Sequence, residues 1–201
     1  MVAKRPARPP RPAPRLKDIP DEQMTAPQRA LRDAIFAGPR GKRPKLTGPF
    51  AIWLHAPEYG NFAQALGAHC RFKTAVEPRL SEFAILVTAH MWKAQYEWHA
   101  HAPIAERAGV KPKTIADLHA GRVPKSAPKD ERAIYDFVKE LYRTRRVSNK
   151  TYARVHALLG DAATIELVGI LGYYTLISMT LNVFRAPLPD GAPLPFREPA
   201  A

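Results

Sequence analysis

The chain has 201 residues, a net charge of +13 and a single cysteine, Cys70. This length is typical of one domain with tails, and it suffices to bury a hydrophobic core without covalent cross-links. One cysteine excludes an internal disulfide, a CxxC redox pair and a multi-cysteine zinc site. Hydrophobic residues at 46% and charged residues at 24% are ordinary for a globular protein, so global disorder is not expected.

The positive charge is concentrated in two short stretches. Residues 1–17 and 40–45 contain ten lysines and arginines and no acid, which leaves a net charge of +3 for the remainder. A nucleic-acid-binding protein usually spreads its basic surface over a folded face. We therefore expect no specific nucleic-acid partner, and weak docking of the basic arm to an acidic surface is the alternative.

The distribution of prolines along the sequence indicates the domain boundaries. Six prolines fall within residues 1–20, where they prevent helix and strand formation, so residues 1–22 are predicted to be a disordered basic arm. The arm lacks the apolar run of a secretory signal, and we expect a cytoplasmic protein. A single all-helical domain is predicted over residues 23–190, followed by a flexible tail at 191–201.

The body of the chain shows helical patterns and cap residues throughout, and no alternation typical of strands. After the first helix come a basic loop and an apolar stretch at 49–54. Pro103 is expected to kink or interrupt the helix that contains it, and Gly160 is expected to end another. The predicted helices cover residues 26–37, 61–72, 80–108, 114–120, 129–144, 149–159 and 162–184.

The last predicted helix raises the question of a membrane span. Its uncharged run, residues 167–181, has about fifteen residues, whereas a span needs about twenty. We therefore expect a buried central helix and no membrane partner. Gly169 and Gly172, together with the pair Tyr173 and Tyr174, are suited to close helix packing.

The segment 80–108 is unusual because its ionisable groups share one side of the predicted helix. At about 100° per residue, Glu82, Lys93, Glu97 and His101 fall within an arc of about 100°, and apolar residues occupy the other directions. A buried carboxylate is energetically costly unless it is paired with a hydrogen-bond donor or a cation, is protonated, or binds a ligand. Glu82, Glu97 and His101 are therefore candidate catalytic residues for proton transfer.

A purely structural interpretation of the same residues stays open. Glu82 would complement the positive end of the helix dipole, Lys93 and Glu97 would form a surface ion pair, and His101 would be a hydrogen-bonded core histidine. Residues His99 and His101 do not suggest a metal site, since positions two apart on a helix point about 200° apart. No metal site is predicted.

The run from Ser81 to His101 resembles the carboxymuconolactone decarboxylase family. The resemblance rests on a glutamate, an apolar run, the motif Glu97-Trp98-x-x-His101 and a later Gly109. It extends to Glu166-Leu167 and to Gly172-Tyr173-Tyr174, and covers about residues 25–190. It implies an all-α fold, the helical bundle shared with the alkyl hydroperoxidase D-like proteins.

The hydroperoxidases of that fold use a glutamate, a CxxC pair and a histidine. Glu82 and His101 match the glutamate and the histidine, whereas Ala94 and Glu97 stand where the two cysteines would fall. Without the attacking and resolving sulfurs, thiol peroxidase activity is disfavoured. It is kept as an alternative function, as is a non-catalytic binding member of the fold.

The decarboxylase resemblance implies chemistry on a small organic acid or lactone without a cofactor. In this hypothesis Glu82 and His101 form the proton-transfer pair and Glu97 orients the imidazole. Lys93 or Arg79 would hold a substrate carboxylate. The remaining predicted substrate-binding residues are Trp98, Tyr174 and His55.

We also expect a homo-oligomer. Family members usually are, and the apolar helix over 80–108 exceeds what one chain of this size is expected to cover. An enzyme should place Glu82 and His101 at one accessible cavity. A non-catalytic relative should have that space filled by side chains such as Trp98 and Met91.

Overall fold

A computed structural model of the protein describes residues 13–189 and 192–198. Most of the predicted basic arm, residues 1–12, lies outside this range, as do positions 190, 191 and 199–201 of the predicted tail. The described residues contain eight α-helices and no strand, which confirms the all-α fold. The helices are α1 (Ala26–Ala37), α2 (Pro49–Trp53), α3 (Pro57–Phe72), α4 (Pro78–Trp92), α5 (Gln95–Arg107), α6 (Pro112–His119), α7 (Lys129–Thr144) and α8 (Asn149–Phe184).

Helix ends marked by local signals lie where the sequence predicts them. The α1 and α7 boundaries agree with the predicted ranges, and the Thr25 N–H donates to Gln28 Oε1 at the start of α1. Ser148 Oγ accepts from the Thr151 N–H at the start of α8. After α5, Gly109 adopts a φ of 105°, which only glycine tolerates easily.

The helix predicted over 80–108 is two helices, and the predicted interruption at Pro103 is wrong. The break lies at Lys93, which has a left-handed φ of 50°, and at Ala94, which is extended. The Lys93 and Ala94 N–H groups both donate to the Ala89 carbonyl and close the end of α4. Pro103 lies inside α5 without ending it.

Helix α4 is the centre of the bundle. It packs against α5, α6, α7 and α8, and every residue from Leu80 to Ala89 is buried. The sequence therefore identifies the core helix correctly. The other helices of the same chain cover Leu80 to Ala89, whereas Trp92 at the end of α4 is 36% exposed. The homo-oligomer stays a prediction.

Helix α8 is kinked at Gly160, where φ is 71° and ψ is −176°, as the predicted division between 149–159 and 162–184 requires. By length and composition alone it could cross a membrane, although core helices of soluble proteins pass the same test. Only 44% of its most apolar window is buried. The helix is thus buried along one side, with Tyr173 and Tyr174 turned inward, and exposed along the other.

The described parts of both terminal segments touch the body. The Arg15 N–H donates to the Phe184 carbonyl at the end of α8. Near the other terminus, Phe196 is buried against Trp98 and His119, with ring centroids 5.3 and 5.4 Å away. Gln95 holds this segment through two hydrogen bonds to the backbone of Phe196.

Candidate active site

Two helices meet to place an imidazole between two carboxylates. Because the chain folds back at Lys93, Glu82 near the start of α4 lies beside His101 in the middle of α5. The His101 Nδ1–H donates to Glu82 Oε2 at 2.6 Å, and His101 Nε2 lies 3.2 Å from Glu97 Oε1. In one uninterrupted helix Glu82 and His101 would be roughly 28 Å apart.

All three groups are shielded from solvent, with exposed fractions of 6% for Glu82, 3% for Glu97 and 5% for His101. Burial raises the pKa of Glu97 to about 7; His101 opposes this shift and the Glu82 charge adds to it. Near neutral pH, Glu97 therefore exchanges between its protonated and ionised forms. The Glu97 carboxyl is within ion-pair distance of His101 Nε2, and His101 Nδ1 is hydrogen-bonded to Glu82, so the three side chains form a candidate proton relay.

Tyr174 closes the relay from the side of α8. Its ring meets the imidazole of His101 edge-on, with 5.1 Å between centroids. Burial raises the Tyr174 pKa well above its ordinary value, and the nearby Glu97 charge raises it further. Tyr173 packs edge-on against Tyr174, and its phenol occupies the space where a side chain at Gly67 would stand. Because its pKa is raised, the phenol of Tyr174 is neutral across the physiological range.

A cavity of about 230 Å³ opens beside Glu82. Its lining is mostly apolar, with Glu82, Ser81, Thr74 and Arg71 as the polar members. Glu82 is thus the member of the relay that meets the cavity, while His101 and Glu97 lie behind it. The full lining is Arg71, Phe72, Thr74, Val76, Pro78, Ser81, Glu82, Ile104 and Ala108.

Arg71 is a functional candidate that the sequence reasoning missed. It lies near the end of α3, its guanidinium stacks over Phe72 at 5.1 Å, and its charge is close enough to lower the pKa of Glu97. Among the described residues, no carboxylate lies within ion-pair distance of it. A cation near a helix C-terminus is usually explained by the helix dipole, so nothing in the sequence distinguished it.

The two cations predicted to hold a substrate carboxylate are placed elsewhere. Arg79 is bonded to Asp130 Oδ2 at 2.5 Å and to Glu131 Oε1 at 2.8 Å. Lys93 lies at the opposite end of α4 from Glu82, where its Nζ donates to His90 Nε2 at 2.7 Å. Neither contributes to the cavity beside Glu82.

Of the predicted substrate-binding residues, only Tyr174 joins the relay. His55 is exposed, and its Nε2 is 3.0 Å from the Lys17 carbonyl oxygen. Trp98 does not line the cavity beside Glu82. It lines a second, open cavity of about 420 Å³ between α5 and α6, together with Pro112 and His119.

Residues 57–140 match the model of the carboxymuconolactone decarboxylase family. This segment is a carboxymuconolactone decarboxylase family domain. It contains Arg71, Glu82, Glu97 and His101, whereas Tyr174 lies beyond the matched range. No curated protein sequence matches the chain.

The carboxymuconolactone decarboxylase domain holds no thiol at the relay. Cys70 is buried on α3, and burial raises the pKa of its thiol, with the Glu166 charge acting in the same direction. A raised pKa keeps the sulfur in its unreactive protonated form. Cys70 is the only cysteine of the sequence, so the relay has no nucleophilic sulfur to serve.

Proposed function

We propose that the protein is a cofactor-free enzyme that moves a proton on a small carboxylate-bearing organic acid or lactone, coupled to decarboxylation. The observation that supports this most strongly is the double contact of Glu82. Its carboxylate bonds to His101 and also lines the cavity of about 230 Å³. A group that joins a buried relay to an accessible space is what proton transfer to a bound molecule requires.

Arg71 is proposed to bind a carboxylate of the substrate. It lies in the wall of the same cavity as Glu82, and no described carboxylate neutralises it. A guanidinium binds a carboxylate through two parallel hydrogen bonds, which fixes orientation as well as charge. The Ser81 hydroxyl, buried in the same wall, is available to donate to an oxygen that gains charge during the reaction.

In the proposed reaction the bond between a substrate carbon and a carboxylate breaks, and carbon dioxide leaves. The electron pair remains on the substrate as an enolate, which then takes a proton at carbon. A proton passes from the protonated Glu97 carboxyl to His101 Nε2, His101 Nδ1 releases its proton to Glu82, and Glu82 passes it to the substrate carbon. Glu97 takes up a proton from water before the next turnover. The electrons stay within the substrate, so the proposed reaction needs no metal or organic cofactor.

The test uses carboxymuconolactone and a set of small acids with an acidic C–H bond. Carbon dioxide release and deuterium incorporation from D2O are measured by NMR. We expect turnover by the full chain, and a loss of about 10²–10⁴-fold in Glu82→Gln and in His101→Ala, the range for removal of a general acid–base group. Asp136→Asn, on the exposed surface of α7, serves as the matched carboxylate control.

Arg71 is tested separately. Arg71→Met should raise KM for substrates with a carboxylate far more than it lowers kcat, because the cation acts in binding. If no member of the set reacts, or if Glu82→Gln retains the wild-type rate, the proposal is wrong. In that event the alternative is a non-catalytic binding protein that kept the fold. Isothermal titration calorimetry with the same acids would detect their binding.

A further inference from the structure

A turn, and not a helix, forms one side of the cavity beside Glu82. Residues 73–77 connect α3 to α4, and Thr74 and Val76 of this turn line the cavity. Arg71 lies in the same wall, two residues before the turn begins. A turn lacks the repeated backbone hydrogen bonds of a helix, so other contacts must fix its position relative to Glu82.

Glu166 on α8 supplies these contacts. Its Oε2 accepts from the Ala75 N–H at 2.5 Å and from the Thr74 hydroxyl at 3.0 Å. Its Oε1 lies 2.8 Å from Nε2 of His69, which belongs to the last turn of α3. One carboxylate therefore holds both the end of α3 and the turn that follows it, on either side of Arg71.

The Thr74 hydroxyl carries this contact further along the turn. It donates to Glu166 and accepts from the Val76 N–H at 3.1 Å. The side chain of Val76 is buried, so the backbone that Glu166 holds leads directly into the hydrophobic core. Movement of the carboxylate would therefore change the shape of the wall that Thr74 and Val76 form.

The bonds of Glu166 differ from those of a second histidine–carboxylate pair on α8. His156 Nε2 lies 2.7 Å from Asp161 Oδ1, and both residues belong to α8. The Asp161 side chain is 85% exposed, against 24% for Glu166. Glu166 instead bonds to residues more than ninety positions away in the sequence. An exposed local pair contributes little, whereas a shielded contact between distant segments fixes how they are placed.

The Glu166 carboxylate is ionised at neutral pH. The Ala75 N–H and His69 both lower its pKa below the ordinary value, because they bond to the charged form. Hydrogen bonds to an ionised acceptor are roughly twice as strong as those between neutral groups. The carboxylate therefore holds the turn more firmly than a neutral side chain of the same shape would.

We propose that Glu166 is a positioning residue for substrate binding, which holds the turn so that Arg71 and Glu82 contact the same bound molecule. Glu166 does not line the cavity itself, and it acts through the residues to which it bonds. This inference rests on the proposed function, because it concerns the same cavity. Glu166 lies outside the matched residues 57–140, as Tyr174 does. Helix α8 thus supports the relay through Tyr174 and the cavity wall through Glu166.

Hydrogen exchange tests the positioning without reference to catalysis. In NMR-detected exchange of the full chain, Glu166→Ala should speed exchange of the Ala75 and Val76 amides at least about tenfold, because both lose the contact that protects them. Glu166→Gln should restore most of the protection, since its amide oxygen can still accept from the Ala75 N–H. Asp161→Ala removes the exposed pair of the same helix, and as the matched control it should leave both rates unchanged.

Steady-state kinetics test the consequence for the site. With an acid that the full chain turns over, Glu166→Ala should raise KM about tenfold and lower kcat less than about threefold, because the turn serves binding and the relay keeps its contacts. Glu166→Gln should remain closer to the wild type, and Asp161→Ala should match it. A loss of stability alone would not produce this pattern, because it lowers the fraction of active enzyme and with it kcat.

A double variant tests whether the effect passes through Arg71. If Glu166 acts by placing this cation, Glu166→Ala should change KM by less than about twofold in a chain that already carries Arg71→Met. Effects on KM that multiply in the double variant would overturn this route.

The positioning role and the proposed function fail in different ways. An Ala75 amide that exchanges at the wild-type rate in Glu166→Ala overturns the positioning role, as does an unchanged KM, and the proposed function is then unaffected. A loss of kcat as large as in His101→Ala overturns it too, because Glu166 would then act on the relay. A chain that turns over none of the acids contradicts the proposed function alone, and the exchange rates still decide whether Glu166 holds the turn.

Discussion

Two ionic clusters lie one turn apart on α4 and have different consequences. Arg79 is surrounded by acids, and Glu131, the deepest of them, is 1% exposed. Glu82 pairs with His101 instead, and it faces a cavity. The Arg79 guanidinium lowers the pKa of Asp130, and at Glu131 it opposes the larger rise in pKa that burial causes. A guanidinium keeps its proton, whereas an imidazole can accept and release one. The nature of the cation and the access to it, more than burial, separate a structural cluster from a candidate catalytic one.

The largest effect is expected from removing the permanent cation. Arg79→Met leaves Asp130 and the buried Glu131 without their partner, and it should lower the free energy of unfolding by about 3–5 kcal/mol. Urea denaturation monitored by circular dichroism measures this difference.

Arg71→Met is the matched variant for that experiment. Arg71 has no carboxylate partner among the described residues, so its replacement should change the free energy of unfolding by less than about 1 kcal/mol. Equal losses in the two variants would show that the acids around Arg79 do not make it more important for folding than the unpaired Arg71.

A smaller effect, specific to pH, is expected at Glu97. The folded protein holds the proton up to a pKa of about 7, whereas the unfolded chain releases it near the ordinary value of 4.5. The folded state therefore binds more protons between these values, and the unfolding free energy falls as pH rises through this window. The loss over the whole transition is about 3 kcal/mol, and it is complete about one pH unit above 7.

Comparison with Glu97→Gln isolates this contribution. Urea denaturation of both proteins at pH 4.5, 5.5, 6.5 and 7.5 should show the wild type losing stability relative to the variant over that range. A difference in unfolding free energy between the two proteins that stays constant at all four pH values would mean that the Glu97 pKa is not raised. Glu97 would then be ionised near neutral pH and could not donate a proton to His101.

The smallest effect concerns the exclusion of water from the relay, which the ionisation of the Tyr174 phenol reports. Because burial raises the Tyr174 pKa well above the ordinary value of 10.0, its phenol should stay protonated at pH 10, where an ordinary tyrosine is half ionised. Difference absorbance at 295 nm should give superimposable titrations for the wild type and Tyr174→Phe up to that pH. A phenolate signal missing from the variant near pH 10 would place Tyr174 in a wetter environment.

Much of the fold could be predicted because local rules govern it. Thr25, Ser148, Gly109 and Gly160 each mark a helix boundary through cap chemistry or a positive φ, and the structure has each boundary there. The break at Lys93 could not be predicted in this way. Lysine seldom takes a left-handed conformation, and packing of α5 back onto α4 is what imposes it.

The candidate site was predictable in its chemistry and not in its geometry. Glu97 and His101 are four residues apart on α5, so their contact follows from helical spacing. Glu82 reaches His101 only because the chain reverses between two helices, which a helical wheel does not represent. Arg71 comes from a third helix, and its position depends on how α3 packs, which no local pattern records.

The contact of Gly67 with Tyr173 gives the outer helix α3 a mechanical link to the proton relay. A side chain larger than hydrogen at position 67 would displace the phenol of Tyr173, and Tyr173 leans on Tyr174, which in turn supports the ring of His101. Gly67→Ala should therefore disturb proton transfer from a distance. Under the proposed function, a substitution at Gly67 would therefore alter activity although Gly67 does not line the cavity.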